Sequence, residues 1–422
     1  MKKNKPLGLY VHVPFCRRKC LYCDFCSFAG QDDATMDAYV ARLCDELTSR
    51  ASEAADRNVD TIYFGGGTPT LLSPAHFARL LDTIRAHYVL DGDVEITVEC
   101  NPATANEDKL CALRRLGVNR LSIGAQSAID EELASLGRIH TFEETKKTYR
   151  AARAAGFDNI SLDVMFGIPH QTVDSFGRTL DEILSLAPEH ISAYSLIVEP
   201  DTPFFEAGDT LPLPDEDAVC EMSDLLLARL RDAGYERYEI SNFAKDGKCS
   251  RHNLHYWSMD DYLGFGPAAH SLVGAVRTGH SRDLSAYLAG QDITEPEETL
   301  DEMTARDEYV MLRLRLSDGV SKADFFARFG QEFDEIYAAA AGTVELSRWY
   351  STFGNCVIIN HGGGVKTLYA HASRLIATQG TRVEKGQVIA LVGTTGWSYG
   401  NHLHFELRVN GSRINPRPYI VS

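Results

Sequence analysis

The sequence predicts an α/β protein: a parallel sheet of barrel type over the first two hundred residues, and a β-rich piece of different character at the C-terminus. Three observations carry this. Short β-rich runs recur at 7–14, 61–67, 95–101, 120–126, 159–167 and 190–197. Segments of helical periodicity lie between them, giving units of about thirty residues, as βα repeats require. Composition then breaks near residue 342: residues 342–422 hold eight Lys/Arg and three Asp/Glu, a balance of +5 in a chain of net charge −17, and 11 of its 33 glycines. Such a break marks two unlike pieces.

The first run leads into Cys16, Cys20 and Cys23, spaced C-x3-C-x2-C. Thiolates are soft ligands that suit iron–sulfur clusters and zinc. Three of them can hold three irons of a [4Fe–4S] cube and leave the fourth iron open, whereas an electron-transfer cluster normally has four cysteines. A structural zinc site wants four ligands, commonly as separated pairs, and no second C-x-x-C follows. Cys26 is a possible fourth ligand. Cys44, Cys100, Cys111, Cys220, Cys249 and Cys356 are scattered and read as ordinary thiols. Arg17, Arg18 and Lys19 place positive charge beside the cysteines.

Helical faces follow in order: Tyr39, Val40, Leu43 and Leu47 within 36–47, then Phe77, Leu80, Leu81 and Ile84 within 77–84. Further helices are expected over 109–116, 142–155 and 175–186. Ser73-Pro74 and Thr172 read as helix starts, Gly117 and Gly156 as helix ends. In a barrel of parallel strands, functional groups gather at the strands' C-terminal ends. There stand Gly65-Gly66-Gly67-Thr68-Pro69-Thr70, Glu99-Cys100-Asn101-Pro102, Gln126-Ser127, and Asp163 before Phe166-Gly167-Ile168-Pro169. Glycine admits close backbone approach to a ligand, and Glu99 and Asp163 can accept hydrogen bonds from ribose hydroxyls or an amine.

Composition excludes some classes. A charge of −17 argues against nonspecific nucleic-acid binding and anionic membrane surfaces. No apolar run is long enough to span a bilayer, so a transmembrane protein is not expected. The basic start precedes a short run that contains His12 and lacks a cleavage site, so it is not read as a signal peptide, and a reducing cytoplasm is the expected setting.

Leu9-Tyr10-Val11-His12-Val13-Pro14-Phe15-Cys16, the cysteine loop, Gly65-Gly66-Gly67-Thr68-Pro69-Thr70 and Gly124-Ala125-Gln126-Ser127 resemble the radical S-adenosylmethionine superfamily, in its oxygen-independent coproporphyrinogen dehydrogenase branch. The resemblance runs from about residue 7 to about residue 335. It implies a partial (β/α)6 barrel. It implies a [4Fe–4S] cluster on Cys16, Cys20 and Cys23, whose open iron binds S-adenosylmethionine and whose electron cleaves the sulfonium to a 5′-deoxyadenosyl radical. It also implies S-adenosylmethionine contacts at Tyr10, Tyr22, Gly66, Gly67, Thr68, Glu99, Gln126, Arg138 and Asp163.

Residues 200–217 read as a loop and 219–233 as a helix with Met222, Leu225, Leu226 and Leu230 aligned. Then come His252-Asn253-Leu254-His255-Tyr256-Trp257 and Asp261-Tyr262-Leu263-Gly264-Phe265-Gly266-Pro267-Ala268-Ala269-His270-Ser271. Imidazole is a common axial ligand of haem iron, although read alone these are surface loop histidines. The H-N-x-x-Y-W stretch, together with Ile197-Val198-Glu199-Pro200-Asp201-Thr202-Pro203-Phe204, resembles the HemW-type haem chaperones. That implies haem as a third cofactor with His252 as ligand, a haem-accepting partner protein, and an electron donor such as a flavodoxin-like protein. The alternative is a coproporphyrinogen III dehydrogenase, a radical oxidoreductase that decarboxylates its substrate; whether the chain is an enzyme is left open.

Helical text ends at 337–341. Beyond it, strands are expected at 356–361, 365–371, 388–392 and 402–409. Tyr369-Ala370-His371, Gly380-Thr381-Arg382-Val383-Glu384-Lys385-Gly386-Gln387 and Gly400-Asn401-His402-Leu403-His404-Phe405-Glu406 resemble the second half of LytM-type M23 zinc peptidases. By that resemblance His404 is a zinc ligand, and His371 and His402 assist catalysis. Residues 320–355 supply no H-x-x-x-D element for the other two ligands, so no working metallopeptidase is expected. The domains expected are a barrel over 1–200, a truncated α/β extension over 201–341 and an incomplete M23-like fragment over 342–422. The simplest account is a fusion of two unrelated pieces, with exposed edges in the second and ready proteolysis near 338–343.

Overall fold

The computed structural model describes residues 6–331, 335–398 and 400–416, and the chain divides into two compact units, residues 1–319 and 320–422. In the first unit, strands Leu7–Val13, Asn58–Gly66, Val89–Cys100, Arg120–Gln126, Ile160–Phe166 and His190–Ser195 are all parallel and neighbour one another in sequence order. These are the six expected strands, and they form the partial barrel. The sheet continues on both sides to twelve strands. Tyr262–Phe265 pairs parallel to the first strand and leads into three antiparallel strands, while Asn242–Ala244 pairs antiparallel to the sixth.

Helices Asp33–Ser49, Pro74–His87, Glu107–Arg115, Phe142–Ala154 and Val173–Leu186 form where the periodicity placed them. Ser73 and Thr172 each accept a backbone N–H at the third helical position, as N-cap hydroxyls do. Gly117 and Gly156 follow helix ends with φ of 98° and 89°.

Strand alternation decides what the barrel holds. Leu121, Ile123 and Ala125 face the helices and are fully buried, whereas Arg120, Ser122, Gly124 and Gln126 face the interior and line one cavity. Neighbouring strands repeat the pattern, with Ile96 and Val98, Leu162 and Val164, and Ile191 and Ala193 packed outward. The outward residues are the hydrophobic core, so the interior is free to be polar.

The second unit has a six-stranded sheet around Gly342–Trp349, Asn355–Gly362, Val365–Ala372 and His404–Val409, all antiparallel, and a three-stranded sheet around Val388–Leu391. One expectation is corrected here. Residues 335–341 are not the tail of the first unit. Glu335–Tyr337 is a strand paired with Val388–Leu391, Ala338 N–H donates to Gln387 O, and Ala339 N–H donates to the Tyr369 hydroxyl at 2.7 Å. Ile336 and Ala338 are buried with Val344, Val357, Ile359 and Ile389. The alanine run looks helical by propensity, but its neighbours in space are strands. The edges of its six-stranded sheet are the short strands Arg382–Val383 and Ser412–Ile414, and short edges resist further pairing, while Trp349 and Trp397 are exposed, as expected of an incomplete piece.

Candidate functional site

The first strand ends at Val13 and the chain turns through Cys16, Cys20 and Cys23 over the top of the barrel. All three cysteines line one cavity of about 340 Å³. The loop is pinned at both ends: Leu21 N–H donates to Leu136 O on one side, and Phe28 N–H to Pro14 O on the other. Desolvation pushes the Cys23 thiol up to about 11 in the free protein, with the neighbouring Cys20 and Cys16 adding to it. Cys26 is turned away. It is 6% exposed, does not line the cavity, and directs its Sγ to Arg282 O at 3.7 Å, while its carbonyl pairs with His12 Nε2 at 2.8 Å.

Eight of the nine residues named for S-adenosylmethionine line this cavity: Tyr22, Gly66, Gly67, Thr68, Glu99, Gln126, Arg138 and Asp163. Gly66 has φ of 104°, and a Cβ there would stand 2.5 Å from the His12 ring; one at Gly67 would stand 2.6 Å from Phe15 O. The glycine turn is therefore required by how closely the second strand's end packs under the cysteine loop. Thr68 Oγ1 lies 3.5 Å from Cys16 Sγ. Arg138 is not the solvent-facing residue its type suggests: its Nη2 donates to Gly124 O at 2.7 Å, its Nη1 lies 3.7 Å from Cys20 Sγ, and its Nε has no partner among the described residues. Gly124 is what admits it, since a Cβ there would stand 2.8 Å from Nη2.

Tyr10 is the ninth and does not line the cavity. Its hydroxyl pairs with His12 Nδ1 at 3.0 Å and its ring stacks beside Tyr63 and His252, both at 6.3 Å.

The carboxylates are held by different partners. Glu99 Oε1 accepts from the Tyr63 hydroxyl at 2.8 Å and Oε2 from Gly66 N–H at 3.1 Å. Loss of water raises the Glu99 pKa to about 7, Asp163 adds to it, and the two hydrogen bonds oppose it. Asp163 accepts from Ser122 at 3.0 Å and Ser161 at 2.9 Å; desolvation raises its pKa too.

His252 sits elsewhere than a surface loop would put it. It belongs to helix Arg251–Trp257, is 1% exposed, and uses both ring nitrogens: Nδ1 with Thr61 Oγ1 and Nε2 with the Tyr256 hydroxyl, each at 2.9 Å. Burial drives its pKa well below the usual range, so the ring is neutral. Coordination of iron by this imidazole requires breaking one of those bonds. His255 is buried as well, with Nε2 at 2.9 Å from Asp60. Sequence reading missed Tyr63, Arg120, Ser122, Ser192 and Asn253, all of which line the cavity. Counting by twos back from Gln126 finds Ser122 and Arg120.

In the second unit His371, His402 and His404 come together: the His371 ring lies 4.8 Å from His402 and 5.6 Å from His404. His404 Nε2 is paired with Glu406 at 3.0 Å, and Glu406 is also held by Arg408 and Arg413. Among the described residues of this unit, no group of three or more His, Cys, Asp or Glu is arranged to hold a metal ion.

Six parallel strands with a C-x3-C-x2-C loop over their C-terminal ends define a radical SAM protein, and the profile of the Radical SAM superfamily matches residues 10–183. That superfamily's cofactors are a [4Fe–4S] cluster and S-adenosylmethionine. The "Heme chaperone HemW" of Escherichia coli (strain K12) is 39% identical over 373 residues, covering 85% of this chain and 98% of that protein. That of Bacillus subtilis (strain 168) is 36% identical over 368 residues, covering 84% and 95%. The chain belongs to the HemW haem-chaperone family. A solved structure titled "Coproporphyrinogen III oxidase (HemN) from Escherichia coli is a Radical SAM enzyme" is 26% identical with a TM-score of 0.69, covering 78% of this chain and 80% of that one. The profile of peptidase family M23 matches residues 321–416. No helix among the described residues is long and apolar enough to cross a membrane.

Proposed function

We propose that this chain binds haem and passes it to an acceptor protein in the cytoplasm, with a [4Fe–4S] cluster on Cys16, Cys20 and Cys23 and S-adenosylmethionine in the cavity beneath. The observation that carries the reading is the convergence of three thiols from one loop on a cavity whose wall offers a cationic group at Arg138 and carboxylates at Glu99 and Asp163. These fit a zwitterionic sulfonium ligand: Arg138 would neutralise thiolate charge beside Cys20, Glu99 would accept from an amine, and Asp163 from ribose hydroxyls. The backbone of Gly66 and Gly67 gives close approach. When bound, the cluster supplies a single electron. Cys26 is assigned no place on it, because its sulfur points to Arg282. An acidic, flavodoxin-like protein is the proposed electron donor, since Arg17, Arg18 and Lys19 are exposed on the cysteine loop.

Anaerobic reconstitution followed by EPR tests the cluster: S-adenosylmethionine should shift the signal, and an unchanged signal would mean that no iron is open. Haemin titration should yield a Soret band. Incubation with coproporphyrinogen, reductant and S-adenosylmethionine should yield no protoporphyrinogen; its formation would favour the decarboxylating dehydrogenase instead. The M23-like unit is proposed to be inactive, because His404 is engaged by Glu406. Hydrolysis of cell-wall peptides by the purified chain would refute that.

A further inference from the structure

The cavity does not end at the residues named for S-adenosylmethionine. Along Arg120–Gln126 the four inward residues Gln126, Gly124, Ser122 and Arg120 all line it, and the six steps from the first residue to the last span about 20 Å of backbone. Gln126 and the cysteines occupy one end. Arg120, at the start of the strand, occupies the other, with Ser122, Ser192 and Asn253.

Arg120 is 2% exposed, and its Nε has no hydrogen-bond partner among the described residues. The nearby acids Glu95 and Asp163 offset its charge but spend their hydrogen bonds on other donors. Glu95 accepts from the backbone N–H groups of Arg251 and His252, each at 3.2 Å, and Asp163 accepts from Ser122 and Ser161. A buried guanidinium is costly unless an anion faces it with good geometry. The planar fork matches a carboxylate. Glu95, Glu99 and Asp163 around it disfavour a dianion such as phosphate, so a single negative charge fits best.

We propose that the inner end of the barrel is a second recognition point, where Arg120 binds the carboxylate of a small ligand in the part of the cavity that Ser192 and Asn253 also line. This rests on the reading that the cysteine end holds the cluster and S-adenosylmethionine. The carboxylate has two possible sources, a tetrapyrrole propionate or an S-adenosylmethionine molecule.

The test measures binding to the cluster-loaded full chain of two matched pairs: haemin and haemin dimethyl ester, and S-adenosylmethionine and its decarboxylated analogue. In the unsubstituted protein at least one carboxylate-bearing member should bind about tenfold more tightly than its partner, the size of one charge-assisted hydrogen bond. Arg120→Met should remove that preference, and Arg120→Lys, which keeps charge but not the fork, should retain part of it. Loss in the haemin pair identifies a propionate; loss in the other pair identifies the amino-acid carboxylate. If both preferences are unchanged in Arg120→Met and Arg120→Lys, the proposal is overturned. The EPR shift of the unsubstituted protein with S-adenosylmethionine is read separately, so failure of the cluster reading is distinguishable from failure at Arg120.

Discussion

Two cysteines three residues apart behave differently because of where their sulfurs point. Cys23 faces the cavity, while Cys26 faces the Arg282 carbonyl. Cys23→Ser should therefore lose most of the iron on anaerobic reconstitution, and Cys26→Ser should keep it, read as iron per chain and EPR spin count. Glu99 gives a pH prediction. Its pKa rises from 4.5 toward about 7 on folding, chiefly by desolvation. A raised acid favours the protonated form, so its contribution to stability is present below the unfolded value and lost as pH climbs from 4.5 to 7, at about 1.4 kcal/mol per unit. Thermal denaturation of the cluster-free protein across that window should show a decline that Glu99→Gln flattens. Binding an amine cation favours the carboxylate. Affinity for S-adenosylmethionine should thus fall as pH drops below 7, and the Gln variant should lose that dependence.

At the scale of elements, helix Arg251–Trp257 is built into the barrel wall rather than displayed on a loop. Its N-terminus is capped by the Glu95 carboxylate, and His252 stacks on Tyr63 at 5.2 Å, the same Tyr63 that donates to Glu99. His252→Ala removes a buried ring with two hydrogen bonds and should cost ~2–4 kcal/mol, visible as a lower midpoint in urea. The haem experiment must be read beside that number. A Soret band and affinity unchanged in folded His252→Ala would exclude this residue as the iron ligand. Loss of the band with folding intact would support it. The strand Glu335–Tyr337 teaches the same lesson in the second unit, where antiparallel pairing with Val388–Leu391 overrides the helical look of the alanines that follow.

For the whole molecule, the division falls at 319/320, and each unit has its own buried core. A chain ending at Gly319 should reconstitute the cluster and shift its EPR signal with S-adenosylmethionine, and residues 320–422 expressed alone should unfold cooperatively. Cleavage within 338–343 should be slow, since Ala338, Ala339 and Val344 are hydrogen-bonded into the second unit; rapid nicking there by limited proteolysis would contradict this packing. Much was determined by sequence alone. Short β-rich runs separated by amphipathic segments specify βα repeats, and three cysteines within eight residues must share a loop wherever the chain goes. The strand-end residues followed from those two facts. Other features were decided only in three dimensions. Whether Cys26 turns toward the cluster loop's cavity, whether Arg138 is solvated or folded over Gly124, whether His252 carries a second bond besides the one to Tyr256, and whether Arg120 has a partner all depend on residues more than ten positions away. Local patterning fixes the direction of a side chain relative to its own strand or helix, but its neighbours, and with them its charge state and hydrogen bonds, come from whatever the rest of the chain packs against it.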